Sequence, residues 1–306
     1  MLKRKALRKI FVTTFVMFIL LTIYFIPTSD KKNNNIEYHY LDVQEISIYL
    51  LNNNDQLTKV DFKIKNDSTI DTIKSIIKKL TISNDATIPN GLEQVIPKDC
   101  KLLDVVLNEK KVELNFSKEF LDIGHDNIET VVESISFSIL NIEGIDEISI
   151  LVEDENISRL FPVLIPNIIT KEYGINKRVE LKSFNDVSSV TVFYIDNIDN
   201  QNYYVPITKY VNDKRDKIKI IIDELSSNYI YESNLITLLD KNIKLVNYEI
   251  NNDTMILNFN NSIFMEKDSI LEEVVYTVSY SVFANYDVNE VVFMVNNEEI
   301  LKKGIE

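Results

Sequence analysis

The chain contains one stretch twice: residues 112–157 read VELNFSKEFLDIGHDNIETVVESISFSILNIEGIDEISILVEDENI, and residues 255–300 read MILNFNNSIFMEKDSILEEVVYTVSYSVFANYDVNEVVFMVNNEEI. A shift of 143 positions aligns the two stretches without a gap. Leu114-Asn115-Phe116 then falls on Leu257-Asn258-Phe259, and the apolar positions correspond throughout. We interpret the pair as a duplicated domain, so the function of the chain depends on what that domain does.

Outside this stretch, each copy continues in the same order of elements. Ile46, Ile48 and Leu50 alternate with polar residues, as in a half-buried strand, and the spacing becomes that of an amphipathic helix after the N-cap candidate Ser68. The elements predicted for the first copy are strands 46–50 and 60–64, helix 70–80, strands 103–107 and 112–116, helix 127–140 and strand 148–152. Those predicted for the second copy are strands 190–194 and 204–210, helix 214–225, strands 243–250 and 255–259, helix 270–283 and strand 290–295.

This β-β-α-β-β-α-β order predicts the fold class α+β, in which each repeat forms a mixed β-sheet with two helices packed on one face. The predicted bounds are 36–157 for the first repeat, 158–188 for a connecting segment and 189–306 for the second repeat. Pro162 and Pro166 prevent an uninterrupted helix in the connecting segment. Phe161, Ile165 and Ile169 make that segment too apolar for a free linker, so we expect it to pack on one or both repeats.

Residues 1–35 are predicted to form a cytoplasmic tip, a membrane anchor and a polar tether. Residues 10–26 are apolar apart from three Thr and one Tyr, and this length lies at the lower edge of what spans a hydrocarbon core. A cleaved signal peptide and a retained transmembrane helix both fit the stretch; the lack of a small-x-small cleavage site after it favours the retained helix. The basic cluster at residues 3–9 then predicts a cytoplasmic N-terminus and an exported remainder.

The exported part of the chain is strongly acidic. The chain has a formal charge of −14, and residues 1–29 hold five basic and no acidic side chains, so the remainder carries −19. Such a surface repels phosphate backbones, which excludes nucleic acid as an expected partner. A solubilising surface is the simplest interpretation of the charge, and an acidic docking face is the alternative.

The sequence predicts no enzyme, no cofactor and no metal site. The two histidines, His39 and His125, are far apart, and no HExxH or paired Cys/His spacing occurs. The spacing of Asp122 and Asp126 lacks the Gly and ligand pattern of a Ca²⁺-binding EF-hand loop. Cys100 is the only cysteine, which excludes an intrachain disulfide and CxxC chemistry; we expect it to be a buried filler rather than a reactive thiol.

Some polar residues repeat between the copies, and each has a structural explanation. Glu147 and Glu290 open the last strand, and Glu129 and Glu272 lie in the first turn of the second helix, where a carboxylate complements the helix dipole. Small residues also repeat within that helix, where they permit close packing inside the domain or against another protomer: Ser136, Ser138, Ser279 and Ser281. The loop 124–126 around His125 and its counterpart 267–269 do not repeat.

The pattern resembles the GerMN domain of sporulation and spore germination proteins. Ile96-Pro97 followed by the hairpin 101–116 carries the resemblance in the first copy, over residues 46–157. The hairpin 244–259, Val275-Tyr276-Thr277-Val278 and the strand 288–295 carry it in the second copy, over residues 190–300. Two departures are Leu239-Asp240 in place of Ile-Pro and the absence of the lipid-accepting Cys that family members often have.

The resemblance implies a non-enzymatic role, because GerMN domains are similar to the ring-building motifs of secretion and sporulation channels. It therefore predicts a membrane-anchored extracytoplasmic protein that assembles or stabilises an envelope complex, with other envelope and sporulation-channel proteins as partners and self-association into rings as one form of assembly. The alternative is a module that binds a small ligand or a peptidoglycan fragment in the cleft between the repeats. An enzyme acting on the cell wall would need two carboxylates converging in a cleft.

Overall fold

We describe a computed structural model of the chain, which covers residues 4–25, 44–64, 68–227, 234–264 and 269–305. The chain divides into two units, 1–41 and 42–306. In the first unit, helix α1 runs from Arg4 to Phe25. No helix within the described residues is both long enough and apolar enough to cross a membrane. The predicted tether and His39 lie outside the described residues.

The elements of the second unit follow the predicted order in both repeats. Those of the first repeat are β1 (Gln44–Asn52), β2 (Leu57–Ile64), α2 (Thr69–Leu80), β3 (Leu92–Glu93), β4 (Leu102–Asn108), β5 (Lys111–Phe116), α3 (Ile128–Leu140), β6 (Glu147–Val152) and β7 (Glu155–Asn156). The connecting segment holds β8 (Arg178–Glu180) and two 3-10 turns at Ile157–Arg159 and Lys171–Tyr173; two more such turns are at Lys118–Asp122 and Asn261–Ile263. Those of the second repeat are β9 (Ser188–Ile198), β10 (Gln201–Val211), α4 (Lys217–Leu225), β11 (Leu245–Asn251), β12 (Thr254–Phe259), α5 (Glu272–Asn285), β13 (Glu290–Val295) and β14 (Glu298–Gly304).

Local sequence explains where several elements begin. Ser68 caps α2 as predicted, because its hydroxyl accepts the backbone N–H of Asp71 at 3.2 Å. Helix α4 begins three residues later than predicted, since Asp213 forms a turn in which its carboxylate accepts the backbone N–H of Arg215 at 2.9 Å. Helix α5 runs to Asn285, whose side-chain amide donates to the carbonyl of Ser281 at 2.7 Å in the last turn.

Each repeat contains a four-stranded mixed sheet, in the orders β4-β5-β6-β7 and β11-β12-β13-β14. The central pairs, β5 with β6 and β12 with β13, are parallel and the others are antiparallel. Leu114 pairs with Ile150 in the first repeat, and Leu257 pairs with Phe293 in the second, so the register repeats with the sequence spacing of 143. Each repeat therefore contains a mixed sheet, as predicted, but this sheet holds only the later strands of the repeat and does not include its first hairpin.

The first hairpins of the two repeats form a separate sheet, which the sequence did not predict. Its order is β3-β1-β2-β10-β8, with β9 paired to β10; we call it the shared sheet. Strand β2 meets β10 in antiparallel orientation, where Lys59 lies opposite Tyr204. The reason for the separation is that the helices lie between the two kinds of sheet: α3 contacts β1 of the shared sheet and β6 of the four-stranded sheet.

Serines of α3 and α5 form hydrogen bonds with backbone groups at the outer edges of the shared sheet. In the first repeat, the backbone N–H of Tyr49 donates to the hydroxyl of Ser138 at 3.0 Å, and Ser134 donates to the carbonyl of Tyr49 at 2.6 Å. In the second repeat, the N–H of Phe193 donates to Ser281 at 2.9 Å. Of the repeated small side chains, Ser138 and Ser281 thus satisfy backbone groups at the strand edge, and the buried Ser136 and Ser279 pack without a hydrogen-bond partner among the described residues, as expected for close packing inside the domain.

The hydrophobic core has one cluster in each repeat. The predicted apolar stripe of α3 is fully buried, and so are the facing residues of β5 and β6. The connecting segment packs on the first repeat as expected: Ile165 and Ile169 belong to its core, and Ile148 and Ile169 exchange backbone hydrogen bonds of 2.9 and 2.8 Å. No α-helix forms between Pro162 and Pro166.

Candidate functional site: the junction of the repeats and the exposed edge strands

A third apolar cluster fills the junction between the two repeats. It contains Tyr49, Leu57, Phe137, Ile175, Phe193 and Tyr280. Phe137 and Tyr280 are equivalent by the 143-residue shift. Tyr49 and Phe193 are also equivalent, because each donates its N–H to the corresponding serine of α3 or α5. Each repeat therefore contributes the same positions to the contact, and the two hairpins face each other about an approximate two-fold axis.

Aromatic pairs within each repeat line this contact. Tyr49 meets Phe137 edge-on at 6.1 Å between centroids, and Phe193 lies 5.6 Å from Tyr280. Tyr204 of β10 lies 5.3 Å from Tyr280. Such pairs add about 0.5–1.5 kcal/mol each beyond the burial of their area. The centre of the junction, where the side chains of the third cluster meet, is therefore packed.

A buried polar pair joins equivalent positions across the same axis. Asn52 ends β1, and Asp196 lies three residues after Phe193, as Asn52 does after Tyr49. The amide of Asn52 donates to the carboxylate of Asp196 at 2.8 Å, and both residues are buried. Contact between equivalent residues is expected of two-fold packing.

Asn176 of the connecting segment lies between β2 and β10 and bonds to both. Its carbonyl oxygen accepts the N–H of Leu57 at 2.8 Å, and its amide donates to the carbonyls of Leu57 and Pro206 at 2.8 and 2.7 Å. The residue adopts φ +48°, a region that Asn tolerates better than most residues. Because the carbonyl of Pro206 points toward Asn176, its nitrogen points away from β9, and the missing N–H removes no bond of that pairing.

Helix α3 holds the same segment through a buried carboxylate. Glu133 is 6% exposed; its Oε2 accepts the backbone N–H of Asn176 at 2.7 Å, and its Oε1 lies 3.3 Å from Nζ of Lys177. Lys177 also lies 3.0 Å from Glu129 and 3.5 Å from the ring centre of Tyr173. Burial raises the pKa of Glu133 to about 7, although Lys177 and the Asn176 N–H oppose that rise.

We predict that this carboxylate makes stability depend on pH. A carboxyl group whose pKa is higher in the folded than in the unfolded state binds a proton more tightly when the protein is folded. Its contribution to the stability of the fold is therefore present below the unfolded-state pKa near 4.5 and is lost as the pH rises through about 7. The free energy of unfolding should fall by up to about 1.4 kcal/mol per pH unit in this window. Urea denaturation from pH 5 to 8 measures it, and Glu133→Gln should flatten the profile. An unchanged slope in that variant would contradict the assignment.

The cavities at the junction of the repeats differ in size. A cavity of about 80 Å³ remains, lined mainly by Tyr49, Phe137, Phe193, Tyr280 and Phe283. Ligand sites for small molecules usually measure about 300–1,000 Å³. Two larger cavities also lie between the repeats: one of about 550 Å³, lined by Phe62 of the first repeat and Tyr203 of the second, and one of about 600 Å³, lined by Glu147 of the first and Lys217 of the second. The alternative of a binding cleft between the repeats therefore stays a prediction.

The polar residues discussed from sequence do not converge on one site. Glu147 and Glu290 open β6 and β13, and Glu129 and Glu272 lie in the first turns of α3 and α5, as predicted. His125 is exposed, with its ring 6.2 Å from that of Phe161. Its counterpart loop falls partly outside the described residues. Within the described ranges, no group of three or more His, Cys, Asp or Glu side chains is arranged to hold a metal ion.

Cys100 is 7% exposed and packs in the core of the first repeat. Burial, with a smaller contribution from Glu119, raises the pKa of its thiol to about 11. The thiolate is the reactive form, so this environment suits the predicted filler role.

An exposed apolar surface recurs on equivalent strands of the two repeats. Strands β4 and β11 are outermost in their sheets and carry Leu103, 50% exposed, and Val246, 63% exposed. These residues are equivalent by the 143-residue shift, and the pairing register shifts at both positions, as in a β-bulge. A bulge discourages pairing with another strand but leaves the side chains available. We call the two positions, together with Val106 and Ile250, the edge-strand surface.

Together, these features define a tandem-domain protein in which two copies of one α+β domain are joined by a shared sheet. A family model described as "Germane: Sporulation and spore germination" matches residues 47–158 and 191–301. The chain therefore belongs to this family, and its predicted GerMN character is confirmed.

Two relatives extend this comparison. The chain is 27% identical over 231 residues to the spore germination protein GerM of Bacillus subtilis (strain 168), an alignment that covers 71% of this chain and 62% of that protein. The match thus spans less than two thirds of the relative's length. The solved tandem GerMN domains of the sporulation protein GerM from Bacillus subtilis superimpose with a TM-score of 0.75 at 23% identity, covering 85% of this chain and 93% of that structure. This likeness supports the fold.

Proposed function

We propose that the protein is a non-enzymatic assembly factor of sporulation or spore germination, anchored in the cell membrane with its two repeats outside the cytoplasm. In this role it assembles or stabilises an envelope complex, by contacts with other envelope or sporulation-channel proteins and by self-association into rings. The observation that carries the proposal is the edge-strand surface, because equivalent bulged strands expose Leu103 and Val246 in both repeats.

The exposure of these side chains is not needed for the fold. They belong to neither core, while the residues that pack α3 and α5 are buried in each copy. Exposed apolar side chains that recur at one place are typical of protein–protein contact surfaces. A partner that presents apolar side chains fits this surface. In the first repeat, Lys74 and Lys78 of α2 line the adjoining groove, and their positive charges favour a partner that also carries acidic side chains.

The non-enzymatic role is inferred from what the duplication preserves. Equivalent positions keep the core, the strand register, the hydrogen-bonding Ser138 and Ser281, and the aromatic junction. The loops that differ, such as the one around His125, bring no nucleophile and base together within the described residues. The duplication thus preserves the fold and its packing, which favours a structural role.

Membrane attachment is inferred from the N-terminal sequence. Residues 10–26 are apolar apart from three Thr and one Tyr, and Phe11, Phe15 and Phe18 of α1 are 59–74% exposed. Contact with lipid would remove these apolar side chains from water. The basic cluster before them favours a cytoplasmic N-terminus and an acidic remainder outside.

Localisation during sporulation tests this proposal. A fluorescent fusion to the C-terminus should decorate the membrane of sporulating cells, protease added to protoplasts should digest the repeats, and deletion should lower spore yield or germination. A uniform cytoplasmic signal, or normal sporulation and germination after deletion, would overturn it.

A further inference from the structure

The second repeat contains a polar cavity of about 360 Å³ that is separate from both the junction and the edge-strand surface. It lies between α4, the β9-β10 hairpin and the connecting strand β8, and we call it the β8–α4 cavity. Ile207 and Leu235 supply apolar lining, and Arg178, Tyr194, Lys209 and Glu224 supply polar groups. The volume lies within the range of small-molecule sites, about 300–1,000 Å³.

Comparison of the repeats shows that two of these polar groups, Tyr194 and Lys209, stand where the first repeat has apolar residues. The hairpin pairs Ile48–Val60 and Val192–Ile207 correspond, since all four residues face the repeat cores. By this register Tyr194 replaces Leu50, and Lys209 replaces Phe62. Aligning the buried apolar residues of α2 with those of α4 places Glu224 at the position of Lys79. In the first repeat, Lys79 lies over the Phe62 ring at 4.9 Å.

The substituted groups bond to one another inside the second repeat. Nζ of Lys209 lies 2.7 Å from the carboxylate of Glu224, and the hydroxyl of Tyr194 donates to the same carboxylate at 3.3 Å. The side chains of Lys209 and Glu224 are 14% and 25% exposed. A largely buried ion pair is often no more stabilising than apolar residues of similar volume. The first repeat keeps the apolar Leu50 and Phe62 at two of these positions, with Lys79 over the Phe62 ring, so stability alone does not account for the ion pair of the second repeat.

Arg178 is the group that this network leaves unused. It is half-buried, lines the cavity, and has no ion-pair or hydrogen-bond partner among the described residues. Lys209 is engaged by Glu224 and Glu180, and Asp223 by Arg215. A guanidinium presents several donors in a plane that matches a carboxylate with two parallel hydrogen bonds.

We propose that the β8–α4 cavity binds a small carboxylate-bearing molecule of amino-acid or dipeptide size. Arg178 receives the carboxylate, Glu224 and Glu180 accept hydrogen bonds from an ammonium or amide group, and Ile207 and Leu235 contact an apolar side chain. The acidic groups of the lining disfavour polyanions. The site is independent of the assembly role, because it does not include the edge-strand surface.

Calorimetric titration of the full chain in detergent micelles tests the proposal, with alanyl-alanine as the probe and its C-terminal amide as the comparison. We expect the dipeptide to bind, the amide to bind at least tenfold more weakly, and Arg178→Gln to weaken dipeptide binding at least tenfold. Arg159→Gln, an exposed arginine of the connecting segment, is the matched control and should bind as the parent does. N-acetylated alanyl-alanine and free alanine as further probes distinguish a peptide C-terminus from a free amino acid.

Three results would overturn the proposal. They are no binding of any carboxylate probe up to about 10 mM, equal binding of acid and amide, and unchanged binding in a folded Arg178→Gln variant. Circular dichroism establishes that the variants are folded. Arg178 is at the surface of the cavity and has no partner to lose, so its replacement should leave the fold intact.

Discussion

Replacing Asn176 with alanine should lower the free energy of unfolding by about 2–3 kcal/mol. The change removes the acceptor for the Leu57 N–H and the donor for the carbonyls of Leu57 and Pro206. A buried backbone group without a hydrogen-bond partner costs about 1–3 kcal/mol. Partial access of water to Asn176 reduces the total cost of leaving these three backbone groups without their bonds. Urea denaturation of the protein in detergent micelles, followed by far-ultraviolet circular dichroism, measures the loss.

Asn200→Ala is the matched control for backbone strain. Asn200 lies in the exposed β9–β10 turn at φ +63°. Alanine at this position has the same cost in stability for a left-handed backbone, about 1 kcal/mol, but Asn200 does not bridge two strands as Asn176 does. The Asn176 variant should lose clearly more stability than the control. Equal losses would mean that the bridge between β2 and β10 contributes nothing to joining the repeats.

The double variant Leu103→Glu with Val246→Glu should abolish partner capture while leaving the fold intact. Both side chains are at least half exposed, so stability should change by less than about 1 kcal/mol. Loss of apolar contacts and the addition of charge at a protein interface typically cost more than 2 kcal/mol, which is over tenfold in affinity. The tagged protein is purified from membranes of sporulating cells, and co-purified proteins and self-association are quantified by mass spectrometry and native gels.

The connecting segment supplies a control of the same chemistry. Leu164 and Phe184 are both 95% exposed, and Leu164→Glu with Phe184→Glu adds the same charge away from the edge strands. Capture should persist in this control. Capture that survives in the edge-strand variant would remove the main support for the assembly role.

Much of each repeat could be predicted from the sequence because local pattern determines it. The stripe of α3 is buried as its spacing predicted, Ser68 caps α2, and the 143-residue shift reproduces the register of both four-stranded sheets. These features depend on neighbours within a few residues or on repetition, both of which are visible in one chain.

The shared sheet could not be predicted, because it depends on contacts that leave no periodic signal. Strands β2 and β10 meet at one residue pair, and the rest of the bridge is made by Asn176 in an irregular segment. The serines of α3 were recognised as small residues for close packing. That Ser138 and Ser281 accept the N–H groups of Tyr49 and Phe193 required the folded chain.

The junction and the β8–α4 cavity were hidden for a similar reason. Phe137 and Tyr280 look like ordinary apolar residues of a helix, yet they lie between the repeats. The exchange of Phe62 for Lys209 becomes apparent once the hairpins are aligned by pairing register, since their turns differ in length.

Site-specific photo-crosslinking in sporulating cells tests the assembly role most directly. A photoreactive residue is placed at position 103 or 246 on the edge-strand surface, and at position 164 or 184 as controls. We predict discrete crosslinked species of higher mass from positions 103 and 246, formed with envelope proteins or with further copies of the chain, and none from 164 and 184. The absence of crosslinks at both edge-strand positions, or the same products from the control positions, would contradict the account.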